Sequence, residues 1–94
     1  MLKVDEQSHQ WFKNEMTVPD GWGIRFFGKG YGQTNKHEGV SIGLEIAEMT
    51  HPIAVDDRYD YPYFIEDHDA WLFDNDSLYV SFDTESQEPI YYFK

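Results

Sequence analysis

The segment Gly28–Gly39 carries the side chains of this 94-residue chain that are best suited to bind a ligand. Residues 21–37 contain no acid, although the chain has a formal net charge of −11, and Lys29 and Lys36 lie within them. Glycine lets backbone N–H groups approach a ligand closely, and Gln33 adds an amide. The segment therefore predicts either a small-anion or metabolite site on Lys29, Gln33 and Lys36, or a flexible, solvated connection between strands.

Two common phosphate-binding motifs do not fit this segment. In a dinucleotide fingerprint a third glycine would stand at Gln33 and a helix would follow, whereas here an alternating strand follows. A P-loop ends in Gly-Lys followed by Ser or Thr at a fixed spacing, and that sequence is missing. The sequence therefore indicates no nucleotide and no other cofactor.

Neighbouring histidines and carboxylates are the candidate metal ligands. The chain has four histidines, none spaced from another as in HxxxH. His37 and Glu38 adjoin each other at the end of the glycine-rich segment, and Asp67, His68 and Asp69 form a second group. A metal site needs three or four converging ligands, so either group would need partners from elsewhere in the fold. The alternative is that these residues are exposed polar side chains.

Most carboxylates lie in the second half of the chain. Residues 45–94 hold thirteen acids against two bases, which accounts for the whole net charge of −11. These acids are predicted to occupy turns and the surface, where they increase solubility, or alternatively to attract a basic partner or cations. Nucleic acids and anionic membranes require a basic footprint, so neither is an expected partner. No nucleophile–base pair stands out, so an enzyme is not predicted.

The absence of cysteine excludes disulfides and thiolate-bound zinc or iron–sulfur sites. No apolar run reaches the roughly 20 residues that span a membrane, and the N-terminal residues do not resemble a signal peptide. The sequence therefore predicts a cytoplasmic protein. Its length predicts a single domain over residues 1–94.

Apolar periodicity predicts a compact α+β fold. An N-terminal helix capped by Asp5 is expected over residues 5–16, and a short helical turn over 67–73. Strands are expected at 24–27, 40–47, 61–65, 78–82 and 90–93. Connections this short do not suit repeated βαβ units, so the sheet is predicted to be antiparallel or mixed. The predicted core aromatics are Trp11, Phe12, Phe26, Trp71 and Phe73.

The order of these elements resembles the HesB-like iron–sulfur cluster biosynthesis domain, the fold of the A-type cluster carriers. The resemblance covers nearly the whole chain and is strongest to short HesB-like proteins of Gram-positive bacteria. The segments that carry it are Gly21-Trp22-Gly23-Ile24-Arg25-Phe26, Gly43-Leu44-Glu45-Ile46, Tyr63-Phe64-Ile65 and residues 69–82.

This resemblance implies a role in iron–sulfur or iron metabolism without the family's ligands. The carriers place one cysteine near the position of Gln33 and a Cys-Gly-Cys pair after the last strand, and all three are missing here. The resemblance therefore implies a non-catalytic accessory protein that contacts iron–sulfur assembly proteins or binds iron through His37 and Glu38. It also implies a homo-oligomer. The alternative is a small-anion or metabolite binding module that uses Gly28–Gly39.

Overall fold

Two small β-sheets and one α-helix enclose a common core. The computed structural model describes residues 2–94. Its elements are β1 (Leu2–Val4), α1 (Glu6–Glu15), β2 (Gly23–Lys29), β3 (Ser41–Ala47), β4 (Pro52–Asp56), β5 (Tyr63–Glu66), a 3₁₀ helix (Asp67–Leu72), β6 (Leu78–Asp83) and β7 (Glu88–Phe93). The predicted α+β fold, with an N-terminal helix and one short helix, is confirmed. Neither helix within residues 2–94 has the length and apolar character needed to cross a membrane.

Both sheets mix parallel and antiparallel pairs. The three-stranded sheet has the order β1-β6-β7, with β1 parallel and β7 antiparallel to β6. The four-stranded sheet has the order β3-β2-β5-β4, and its one parallel pair is β2 with β5. Because β3 and β4 are opposite edges, residues 48–51 must run from one edge to the other. The Thr50 and His51 amides donate to the buried Glu66 carboxylate at 2.8 and 2.7 Å, which fastens this connection to β5.

The sequence prediction missed the strands β1 and β4. β1 is only three residues long, with Leu2 and Val4 buried and Lys3 exposed. Its partner in the sheet is β6, which lies near the other end of the chain, with Leu2 opposite Leu78. So short a strand carries too few residues for an alternating pattern, and a partner this distant leaves no local turn signal.

Side chains, rather than another strand, occupy the outer edge of β1. The Val4 N–H donates to Asp56 Oδ2 at 2.9 Å, and the Val4 carbonyl accepts from Arg58 Nη2 at 2.9 Å and Tyr59 Oη at 2.6 Å. Burial by itself would raise the pKa of Asp56, but the Arg58 and Val4 donors outweigh it and hold that pKa below its ordinary value. The ionised carboxylate therefore joins the two sheets.

Asp5 caps the N-terminus of helix α1, as predicted. Asp5 Oδ1 accepts from the Ser8 N–H at 2.8 Å, and Oδ2 accepts from the Phe82 N–H at 3.0 Å. One carboxylate thus satisfies a free donor at the helix N-terminus and links the helix to β6. The buried face of the helix consists of Ser8, His9 and Phe12.

Aromatic rings fill the space between α1 and the four-stranded sheet. Phe26 and Tyr63 are stacked with centroids 5.9 Å apart, and Phe12 lies 5.6 Å from Tyr63. All three rings are fully buried, as is Phe73. The prediction of Phe12, Phe26 and Phe73 as core residues is therefore confirmed.

Two other predicted core aromatics behave differently. Trp11 is half-buried at the rim of the core. Trp71 is 54% exposed, so its assignment to the core is wrong. A 3₁₀ helix repeats every three residues, and its inward positions here are Asp69 and Leu72. Trp71, one position before Leu72, therefore points away from the core.

His9 is a buried histidine that the sequence prediction missed. Its Nδ1 lies 2.6 Å from Tyr63 Oη, and its ring stacks on Tyr59 at 4.4 Å with Tyr61 edge-on at 5.3 Å. Nε2 has no hydrogen-bond partner within residues 2–94, although Asp60 Oδ1 is 3.8 Å away. Burial lowers the pKa of His9 and outweighs the opposing attraction of Asp60.

Replacing Asp5 by alanine is expected to lower the free energy of unfolding by about 1–2 kcal/mol, the usual cost of losing an N-cap side chain. The substitution also leaves the Phe82 N–H without its acceptor. Urea unfolding measures the change. The control is Asp57→Ala, an exposed carboxylate for which a change within about 0.5 kcal/mol is expected. Equal stabilities of the two variants would contradict the capping role.

The stability of the fold is expected to decrease as the pH falls below 6.5, the ordinary histidine pKa. Above that pH the imidazole is neutral in both states, and below it the unfolded chain binds a proton that buried His9 resists binding. The melting temperature should therefore be lower at about pH 5.5 than at about pH 7.5. His9→Gln removes the titrating group, so its melting temperature should vary less across this interval. An unchanged pH dependence in His9→Gln would refute the assignment.

Candidate functional site

The glycine-rich segment forms a folded hairpin tip. Gln33 and Glu38 form an antiparallel bridge, and the Thr34 N–H donates to the His37 carbonyl at 2.8 Å. Thr34 Oγ1 accepts from the Lys36 and His37 N–H groups at 3.1 and 2.9 Å. These backbone donors are therefore engaged within the turn, which leaves them unavailable to cradle an anion.

Two side chains fasten the tip to the C-terminal half of the chain. Asn35 Nδ2 donates to the Phe93 carbonyl and Asn35 Oδ1 accepts from the Phe93 N–H, both at 2.7 Å, so the amide acts as a short strand beside β7. Lys36 Nζ donates to the Phe73 carbonyl and forms an ion pair with Asp76 at 2.9 Å. The charge of Lys36 is thus balanced within the protein.

The three candidate anion ligands make different contacts within the fold, and their role stays a prediction. Lys29 Nζ lies 5.1 Å from the centre of the Tyr31 ring, a cation–π contact at the end of β2. Gln33 is exposed in the bridge, whereas Lys36 is turned toward Asp76.

The candidate metal ligands His37 and Glu38 have different surroundings. His37 Nε2 is 3.0 Å from the Leu72 carbonyl, and its ring meets Trp71 and Phe93 edge-on at 5.9 and 5.8 Å. Glu38 is exposed. Across the described chain, no three His, Asp or Glu side chains gather as metal ligands. A metal role for His37 and Glu38 stays a prediction to which the structure adds no further ligand.

Arg25 fixes the 3₁₀ helix against β2. Its Nη2 donates to Asp69 Oδ2 at 2.7 Å, and its Nη1 donates to Glu45 Oε1 at 2.8 Å. Burial disfavours the charged guanidinium, but these hydrogen bonds outweigh it and raise the pKa of Arg25. Asp69 is buried, as are Asp56 and Glu66, so the prediction that the acidic clusters lie only in turns and on the surface is wrong for these three residues.

Two aromatic side chains are left exposed at this end of the β2–β3 hairpin. Trp71 is 54% exposed and Tyr31 is 69% exposed. A Cβ built on Gly28 would lie 3.0 Å from Trp71 Cζ2, so glycine at this position lets the indole lie against β2. Exposed tryptophan is enriched where proteins contact one another, so Trp71 is a candidate contact residue. Sequence reasoning missed it because it placed Trp71 in the core.

One named relative matches almost the whole chain. This chain is 29% identical over 90 residues to the pyruvate dehydrogenase inhibitor of Bacillus subtilis (strain 168). The matched region spans 96% of this chain and 95% of that protein. No model of a known protein family matches the chain. No solved structure matches it.

This similarity overturns the HesB-like interpretation. A relative matched over nearly its whole length carries the name of an enzyme inhibitor, so the iron–sulfur role and the iron–sulfur assembly partners are corrected. The homo-oligomer was inferred from the same family and loses its basis with it. The alternative of a small-anion or metabolite module on Gly28–Gly39 gains no support from it either. The earlier interpretation depended on element order and short motifs, which unrelated small α+β folds share because they follow the same packing rules.

Asn35→Ala is expected to lower the free energy of unfolding by about 1 kcal/mol, because it removes both hydrogen bonds to the Phe93 backbone. Gln33→Ala is the matched control in the same tip, since the Gln33 side chain makes no hydrogen bond within residues 2–94. Chemical unfolding compares the two variants. If Gln33→Ala destabilises the protein as much as Asn35→Ala, the amide does not anchor the tip.

Proposed function

We propose that this protein is an inhibitor of pyruvate dehydrogenase that acts by binding the enzyme and not by catalysing a reaction. The observation that carries the proposal is the match with the Bacillus inhibitor over 96% of one chain and 95% of the other. A match this extensive means that all but about a twentieth of the named relative has a counterpart here. An inhibitory activity of the whole relative can therefore reside in a chain of this size.

The shape and surface of the protein support a binding role. The principal extents are 35 × 33 × 20 Å. Because the molecule is only 20 Å thick, most residues lie close to a surface that a larger partner can reach. Two grooves of about 400 and 460 Å³ are open to solvent, and the residues that line them supply no nucleophile paired with a general base. Exposed Trp71 and Tyr31 instead belong to the residue types that dominate protein–protein contacts.

A cytoplasmic location is part of this proposal. The chain contains no cysteine, so its fold needs no oxidising compartment to form disulfides. The net charge of −11 favours solubility and association with basic surfaces.

The proposal is tested by adding the purified protein to pyruvate dehydrogenase from the organism that produces it. Inhibition is expected to rise with concentration and to saturate when enzyme sites are filled, with a complex detectable by sedimentation or size exclusion. An unrelated acidic protein of similar size and charge is the control.

Two outcomes would overturn the proposal. Full activity at a large molar excess, together with no complex, would exclude inhibition by binding. Progressive inactivation by substoichiometric amounts would instead indicate that the protein modifies the enzyme catalytically.

A further inference from the structure

Trp71 is a large aromatic side chain that remains exposed. More than half of its surface faces solvent, and it sits on the 3₁₀ helix. Isolated apolar residues on a surface are ordinary, but tryptophan and tyrosine are the residues most enriched at the energetic centres of protein interfaces. Trp71 is therefore an exposed side chain well suited to anchor a contact with another protein.

The Trp71 side chain is held in place before any partner arrives. Its ring lies against Gly28 and meets His37 edge-on at 5.9 Å. The 3₁₀ helix that carries it is fixed by the Arg25–Asp69 ion pair at 2.7 Å and by buried Leu72. A preorganised aromatic anchor loses little side-chain freedom on binding, which favours affinity.

The charges around Trp71 indicate the chemistry of the partner. Asp69 and Asp76 are paired with Arg25 and Lys36, whereas Asp67 and Asp74 take part in no ion pair within residues 2–94. Both unpaired carboxylates are exposed and flank the tryptophan in sequence. An aromatic anchor with an acidic rim is complementary to an apolar pocket with a basic rim.

Two other exposed aromatic regions fit a partner less well. Trp22 is only 37% exposed and lines a groove in which Lys13 and Asp60 already form an ion pair at 2.5 Å. On the outer face of β6 and β7, Tyr79 and Tyr92 stack on each other at 5.5 Å, and other groups of this face lie over them. Neither region presents a free aromatic ring beside unpaired charge.

We propose that Trp71, Asp67 and Asp74, on the 3₁₀ helix and the turn that follows it, form the surface that contacts the inhibited enzyme, and that they dock into an apolar pocket rimmed by lysine or arginine. This inference rests on the proposed function and adds to it the surface and the chemistry of its partner.

The aromatic part is tested with Trp71→Ala and the matched control Trp22→Ala. Both variants are first checked for an unchanged fold by circular dichroism and thermal unfolding, and their binding to pyruvate dehydrogenase is then measured by calorimetry or surface plasmon resonance. Trp71→Ala is expected to weaken binding by about thirty-fold or more, as for an interface hot spot, while Trp22→Ala binds within about two-fold of the unsubstituted protein.

The acidic part is tested with charge-matched double variants. Asp67→Asn with Asp74→Asn, and Asp57→Asn with Glu85→Gln as control, each change the net charge from −11 to −9 by removing two exposed acids. Asp74 has a φ of 47°, a conformation that asparagine tolerates well. The first pair is expected to slow association and reduce its dependence on salt more than the control pair. It also keeps the proposal testable if Trp71→Ala does not fold.

The outcomes separate this inference from the proposed function. If the unsubstituted protein neither binds nor inhibits, the proposed function fails and this inference falls with it. If the unsubstituted protein inhibits and Trp71→Ala or the Asp67/Asp74 variant binds equally well, inhibition stands and this surface is wrong. Loss of binding in Trp22→Ala alone would place the contact at the Trp22 groove instead.

Discussion

The buried carboxylate of Asp56 is the connection on which the two-sheet arrangement depends. The sheets share no backbone ladder, and β1 reaches the four-stranded sheet through Asp56, Arg58 and Tyr59 at the Val4 peptide groups. A buried charge is stable only when it is paired and its lone pairs accept hydrogen bonds, and Asp56 meets both conditions. The other strands of the β1 sheet, β6 and β7, contribute Leu78, Val80 and Phe93 to the same core.

Polar side chains also satisfy backbone hydrogen-bonding groups at several other places where no neighbouring strand or helix does so. Asp5 serves the start of α1 and the Phe82 amide, Glu66 serves the connection between β3 and β4, and Asn35 serves the edge of β7 at Phe93. Each side chain replaces backbone partners that a larger domain would supply from additional elements. Part of the acidic composition is therefore internal structure, and the remaining carboxylates determine the charge that a partner meets.

Side-chain contacts of this kind also position the candidate interface. The glycine-rich tip, the 3₁₀ helix and the C-terminal strand are bound to one another by Lys36, His37 and Asn35. Two of the residues that appeared suited to bind a ligand, Lys36 and His37, are therefore engaged in holding the fold. What they hold in position is Trp71 on a rigid turn beside β2. A binding protein of this size can act on a large enzyme through such a surface, since a few well-placed aromatic residues supply most of an interface's affinity.

Local signals in the sequence determined the helix, its Asp5 cap, the main strands and the aromatic nature of the core, because capping and alternation act between near neighbours. The exclusion of thiolate chemistry also followed from composition alone. Only the tertiary structure decided the parallel pairing of β1 with β6, the burial of His9 and Asp56, and the exposure of Trp71. Those features depend on contacts between residues far apart in the chain, and residue type alone does not say which charges become buried or which rings remain outside.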